Sequence, residues 1–402
     1  MKDSLDQFAI FGGKPAFKEK LHVGRPNIGD RQRLLERIAN ILDRRWLTNN
    51  GPYVQEFEQA IANLTGAKHC IAVCNATVGM EIAIRALRLS GEVIVPSMTF
   101  IATAHALKWQ GITPVFCDIE PESLCIDPRQ VERLITPRTG GIIGVHLFGR
   151  ACDVAALQEI AAQNRLNLLF DAAHAFGCST RGQMVGNFGD AEVFSFHATK
   201  FVNSFEGGAI VTNDDELAAT IRLMRNFGFA GTDNVVSIGT NGKMHEVSAA
   251  MGLTSLESLD LVIETNYRNY RAYADGLNQV AGITLHPYDE SERCNYQWIV
   301  LSARSEDTGL TGEQLVDILW SENVLARRYY YPGCHRAEPY RSHFPQGNLT
   351  VPVTERTVEE ILCLPTGTAV HVDDIQEICQ IIYLAVSNAD RVRRRLSFAK
   401  MA

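Results

Sequence analysis

Two residues in this chain carry charge where the surrounding sequence is apolar. Asp171 closes the run Leu168-Leu169-Phe170, and a carboxylate at the end of a buried strand is costly unless it meets a cation or hydrogen-bond donors. Lys200 ends the segment Val193-Phe194-Ser195-Phe196-His197-Ala198-Thr199-Lys200, an apolar strand running into a loop, with Glu206-Gly207-Gly208 shortly after it. The glycine pair permits close backbone approach. A lysine desolvated in such a place has a lowered amine pKa, and a neutral amine is what imine formation with an aldehyde needs. Taken singly, a structural ion pair and a solvated surface lysine are the commoner meanings of such residues.

Two further segments alter that balance. Cys74-Asn75-Ala76-Thr77 joins a strand to the start of a helix, where backbone N–H groups and a hydroxyl form an anion site; an Asn there also serves as an ordinary cap. In Pro96-Ser97-Met98-Thr99-Phe100, Phe100 follows a strand end and is placed to cover a flat heteroaromatic ring, although alone it reads as core packing. A phosphate cup, an aromatic cover, a carboxylate and an amine, all at strand ends, make up the inventory that pyridoxal 5'-phosphate requires. In it Asp171 keeps the pyridine nitrogen protonated and Lys200 forms the Schiff base.

The elements that must position these groups alternate. Strand-like runs occur at 69–74, 92–96, 113–118, 141–146, 167–171, 192–196 and 209–212, with helical stretches between most of them. Helices are expected near 31–44, with Leu34, Leu35, Ile38, Ile41 and Leu42 on one face, and near 53–64. This pattern predicts an α/β fold, a mostly parallel seven-stranded sheet sandwiched by helices, with ligands at the carboxyl ends of the strands. A long helical stretch over 246–277 leads out of it. Strand candidates at 283–286, 296–303 and 324–328 and helices near 311–321 and 372–388 then read as a smaller C-terminal α+β domain. The expected division is 1–260 for the N-terminal segment and large domain and 261–402 for the small one. The loop from Tyr329 to Pro352 is long for a connector, and such loops are more often functional than neutral.

Bulk properties exclude several functions. The 402 residues are 46% hydrophobic and 21% charged, ordinary globular composition. A net charge of −8 gives no electrostatic footprint for nucleic acid. The ten cysteines are scattered with no CxxC pair, so no metal centre is expected. No signal-like N-terminus or apolar run of membrane-spanning length is found, and a cytoplasmic protein away from the membrane is expected.

The order and spacing of these segments resemble the DegT/DnrJ/EryC1/StrS family of sugar aminotransferases, which have the type I fold of pyridoxal-phosphate enzymes. The resemblance runs from Trp46-Leu47-Thr48-Asn49-Asn50-Gly51-Pro52 through the segments above and Gly239-Thr240-Asn241-Gly242-Lys243-Met244 to Leu364-Pro365. It implies that Ala76, Thr77 and Ser195 bind the cofactor phosphate, Phe100 stacks on the ring, Asp171 pairs with its nitrogen and Asn241 reaches the phosphate from the other subunit of a homodimer. His174 stands where the family usually has a Gln near the cofactor's ring oxygen, and Lys243 where it has an Arg. The form Phe-His-Ala-Thr-Lys is similar to members that make dTDP-4-amino-4,6-dideoxyglucose from dTDP-4-keto-6-deoxyglucose.

The resemblance further implies L-glutamate as amino donor, pyridoxamine phosphate as the intermediate cofactor form and a nucleotide-linked keto sugar as acceptor, in deoxysugar or O-antigen biosynthesis. The run Arg327-Arg328-Tyr329-Tyr330-Tyr331, with Lys243 and His335, supplies the expected sugar-nucleotide contacts, Lys243, Arg328, Tyr329, Tyr331 and His335 foremost. Amination at C-3, a GDP- or UDP-sugar, a dehydratase and a non-enzymatic sensor remain as alternatives. The dehydratase branch replaces the Schiff-base lysine by His, whereas this chain keeps Lys200.

Overall fold

Seven short runs rich in apolar residues pair into one sheet in the computed structural model, which describes residues 1–343 and 350–401. They are β1 (His69–Val73), β2 (Glu92–Pro96), β3 (Thr113–Cys117), β4 (Thr139–Val145), β5 (Asn167–Asp171), β6 (Ala191–Ser195) and β7 (Gly208–Thr212). Their order is β1-β7-β6-β5-β4-β2-β3; β7 runs antiparallel to both neighbours and the other pairings are parallel. Apolar side chains pack on both faces: Ile142, Leu168, Phe170 and Phe194 join one core cluster, while Val93, Ile143, Leu169 and Val193 join another. A strand covered on both sides needs a near-continuous apolar run, which explains its legibility in sequence. Because β7 is reversed, its first residue meets the carboxyl ends of its neighbours, Gly208 pairing with Val73 and Ser195.

The helices follow from caps and stripes. In α1 (Arg31–Arg44), the Asp30 carboxylate accepts from the Arg33 amide; α2 (Pro52–Thr65) opens on Pro at its first turn and closes on Gly66 with φ +77°. Leu34 and Ile41 of α1 are buried with Ala250 and Met251, whereas Leu35 and Leu42 are 49% and 61% exposed, against expectation. They lie one residue, about 100°, off a narrow buried stripe. The stretch expected as one helix over 246–277 is two, Glu246–Leu256 and Leu259–Leu277. The break falls where Glu257 is tied to Arg33 and Arg37 and Ser258 leaves helical geometry.

A three-stranded antiparallel sheet, Ile283–Leu285, Ile299–Ala303 and Ile361–Leu364, forms the second layer with the helices Gly312–Ser321 and Val372–Ser387. The third strand was not anticipated, and of 324–328 only Val324–Leu325 is strand, paired with Leu21–His22. Leu5, Phe8 and Leu21 of the N-terminal segment pack in this second core, beside the buried Lys2–Glu322 ion pair. The helix Leu259–Leu277 is shared, with Leu259 and Val262 in the first core and Tyr270, Tyr273 and Leu277 in the second. Among the described residues no helix is long and apolar enough to cross a membrane, and no group of three His, Cys, Asp or Glu could hold a metal ion.

Candidate active site

The carboxyl ends of β1, β2, β4, β5 and β6 converge on a cavity of about 620 Å³, within the range of small-molecule sites. Ala76, Thr77, Phe100, Asp171, His174, Ser195, Lys200 and Tyr329 all line it. One corner is built by the start of α3 (Ala76–Ala86). Asn75 caps this helix by accepting from the Val78 amide, which leaves the N–H groups of Ala76 and Thr77 without helix partners. Gly208 lies so close that a β-carbon there would sit 2.7 Å from the Ala76 nitrogen, so the cup requires a glycine. Ser195, nearly buried at the end of β6, adds a hydroxyl to the lining.

Asp171 is held by few donors. Its Oδ2 accepts from the Thr103 hydroxyl at 2.8 Å, and its Oδ1 from the Ala173 amide at 3.1 Å. Desolvation dominates and raises its pKa, against Thr103, Ala173 and the charge of Lys200. Such a carboxylate gains from a cationic partner. Lys200 follows the turn in which its own amide donates to the His197 carbonyl, and its Nζ lies 5.4 Å from the Trp298 ring centre. Burial brings its pKa down to about 8, with Asp171 opposing the shift. Lys200 is only partly exposed and lines the cavity.

The second layer supplies the far wall. Gln297 donates to the Thr199 carbonyl and Asn295 to the carbonyls of His174 and Phe176, fixing the loops that carry Lys200 and His174. Arg327 and Tyr330, both within the run Arg327–Tyr331 expected at the sugar nucleotide, line the cavity, and so does Trp298, which the sequence did not point to because its ring partner His174 is more than a hundred residues away.

Several expected contacts lie elsewhere. Arg328 pairs with Glu359 at 2.8 Å and stacks on the half-exposed Tyr331, and neither lines the cavity. His335 is 1% exposed and hydrogen-bonded to Ser97, so it anchors the loop to the end of β2. Residues 344–349 of the loop Tyr329–Pro352 lie outside the described residues. Asn241 is exposed and bridges to Asn226, and Lys243 stacks on Phe227; neither lines the cavity of its own chain. His197 lies at the rim, 3.5 Å from Glu206, and its Nδ1 accepts from the Thr199 amide.

Known proteins resemble this chain in sequence and fold. Residues 29–383 match the DegT/DnrJ/EryC1/StrS aminotransferase family. The dTDP-4-amino-4,6-dideoxy-D-glucose transaminase of Escherichia coli is 32% identical over 90% of this chain and 97% of its own, and that of Shigella dysenteriae 34% identical over 91% and 99%. The crystal structure of DesI in the presence of its TDP-sugar product superposes with a TM-score of 0.94 at 46% identity, covering 98% of this chain and all of that one. The chain is thus an aminotransferase, and it belongs to the DegT/DnrJ/EryC1/StrS aminotransferase family.

Proposed function

We propose that this chain binds pyridoxal 5'-phosphate and transfers an amino group from L-glutamate to C-4 of a nucleotide-linked 4-keto-6-deoxy sugar, with dTDP-4-keto-6-deoxyglucose as substrate and dTDP-4-amino-4,6-dideoxyglucose as product. The carrying observation is the meeting of Lys200, its amine pKa brought down to about 8, and Asp171, short of donors, in one cavity with the free amides of Ala76 and Thr77. The names of the relatives support the sugar and the carbon.

The residues fit the cofactor: amides of Ala76 and Thr77 and the Ser195 hydroxyl for its phosphate, Phe100 for one ring face and Asp171 for the ring nitrogen. When bound, the cofactor supplies an electron sink for carbon–hydrogen bond cleavage. Lys200 acts first as nucleophile, then as the base that takes the donor's Cα proton and the acid that returns one, and a group with a pKa about 8 is suited to both directions. Arg327 is exposed at the cavity wall with its guanidinium 5.0 Å from the Tyr329 ring centre, and we assign it the anionic groups of donor or nucleotide sugar.

We further propose a homodimer in which Asn241 and Lys243 serve the partner's site. This is supported by their position outside their own cavity and by the exposed Phe227, Val235, Val236 and Ile238 on the same segment. The test is a panel of keto sugars presented with L-glutamate to the cofactor-loaded protein. Formation of the 4-amino sugar and 2-oxoglutarate, read by mass spectrometry, is expected; glutamate turnover with GDP- or UDP-sugars alone would overturn the nucleotide assignment.

A further inference from the structure

We propose that Tyr330 donates its hydroxyl proton to the ring oxygen of the bound cofactor, and that His174 is a positioning residue that fixes where that proton points. The proposal rests on the pyridoxal phosphate reading above and deepens it, because the residue at 174 would then act only through a tyrosine more than 150 positions away.

The argument starts from the two nitrogens of His174. Nδ1 lies 3.2 Å from the backbone nitrogen of Phe148. A backbone amide only donates, so Nδ1 must present a lone pair. The imidazole is buried among Phe148, Trp298 and Tyr330, with the Trp298 ring centre at 4.2 Å. Desolvation, and then the charge of Lys200, push its pKa well below the ordinary histidine range, so the ring is neutral. A neutral ring with a lone pair on Nδ1 carries its proton on Nε2, and Nε2 lies 3.1 Å from the Tyr330 hydroxyl. His174 therefore donates to that oxygen and has no donor left for a ligand.

The hydroxyl's own hydrogen must point elsewhere. Among the described residues no hydrogen bond takes it, and Tyr330 lines the cavity. Its ring is held parallel to Phe148, interplanar angle 3°, and lies 6.0 Å from Phe100, the residue assigned to the cofactor's ring face. Its backbone is pinned as well: the Gly333 amide donates to the Tyr330 carbonyl at 2.7 Å, and the Cys334 amide to Ser97 at the end of β2. A fixed phenol with a free proton beside the ring site suits an anionic oxygen. The titratable groups facing Tyr330 are Tyr329 and Cys334 of its own loop, Cys363 of the second-layer sheet, Asp171 at the end of β5 and His174 itself. Desolvation, then Tyr329, Cys363, Asp171 and Cys334, raises its pKa, so the phenol keeps its proton.

Tyr330→Phe keeps the ring stack and removes only the donor. Protein loaded with pyridoxal phosphate is titrated by visible absorbance, and the midpoint belongs to the lysine-bound chromophore. A donor to the ring oxygen stabilises its anionic form; without it the chromophore holds its shared proton more tightly, so the midpoint should rise by about one pH unit. His174→Leu should raise it similarly, the double variant no further, and His174→Gln, whose amide can both accept from Phe148 and donate to Tyr330, should restore the wild-type midpoint. An unmoved midpoint in Tyr330→Phe protein that binds the cofactor overturns the proposal, as does an additive double variant. If His174→Leu does not fold, Tyr330→Phe and His174→Gln decide it alone. A wild-type chain that takes up no coloured cofactor overturns both this proposal and the reading beneath it, so colour separates the two failures.

Discussion

Lys200 makes the apoprotein less stable than it would otherwise be, and the size of that penalty follows from its surroundings. Its pKa falls from 10.5 to about 8 through burial. Each unit corresponds to about 1.36 kcal/mol, giving an upper bound of about 3.4 kcal/mol; because the amine keeps contact with a water-accessible cavity, about 2 kcal/mol is the working figure. Below pH 8 both folded and unfolded states hold the proton and the penalty is complete. Between about 8 and 10.5 the unfolded chain binds a proton the folded one has lost, so stability rises with pH, and above that range the penalty is gone. Lys200→Met, of similar length and no charge, should therefore stabilise the cofactor-free protein by about 2 kcal/mol at neutral pH and by much less near pH 10.5. Urea unfolding at matched protein concentration, at both pH values, measures this. A variant no more stable than wild type at neutral pH, or a gain that does not change with pH, refutes the account of the buried amine. The same variant should no longer be fixed to the cofactor by borohydride.

Asp171→Asn should leave the fold intact and slow transamination by roughly 100-fold, since a neutral amide cannot pair with a ring cation; a near-normal rate in the loaded variant removes the residue from its role. Arg327→Ala should raise KM for donor or sugar at least about 10-fold, while Arg328→Ala, whose partner is Glu359 outside the cavity, should change KM less than about two-fold; steady-state kinetics that reverse this ranking contradict the assignment. Mixing Lys200→Ala with Asn241→Asp protein should restore roughly a quarter of wild-type activity, because half of the exchanged dimers are hybrid and each hybrid has one intact site. Exchange seen by native mass spectrometry without recovery places Asn241 outside the partner's site.

What was legible in the sequence follows from how local its physics is. The seven strands fall within a residue or two of their expected bounds, because burial on both faces leaves an uninterrupted apolar run and the turns interrupt it. Asn75 announces its helix because a cap acts over three residues. Leu35 and Leu42 show the limit: helical spacing gives a face, whereas the width of the buried stripe depends on what packs against it. Tyr330 is legible only as one of a run of sugar-nucleotide contacts, and its pairing with His174 lies beyond reach. It stands between two tyrosines, only one of which faces the cavity, in a loop without periodicity, and its partner His174 is 156 positions away.

The same limit applies to the signal that opened the case for a site, a carboxylate closing a buried strand, because the chain contains it twice. Asp118 follows β3 much as Asp171 ends β5, and the apolar run before each does not by itself separate them. Their partners do. Asp118 accepts from the amides of Ile119, Val353 and Thr354 and from the Thr354 hydroxyl, four donors between 2.8 and 3.0 Å, most of them at the start of the helix Pro352–Glu360. Its hydrogen-bonding capacity is close to filled, and its effect is to moor the second layer to the sheet. Asp171 has two donors, a raised pKa and an open side toward the cavity. A buried carboxylate that finds its donors within the fold holds structure together, whereas one left short of them keeps its affinity for a ligand's charge. The distinction between the two aspartates is therefore a count of donors, set by which loop each strand end happens to face.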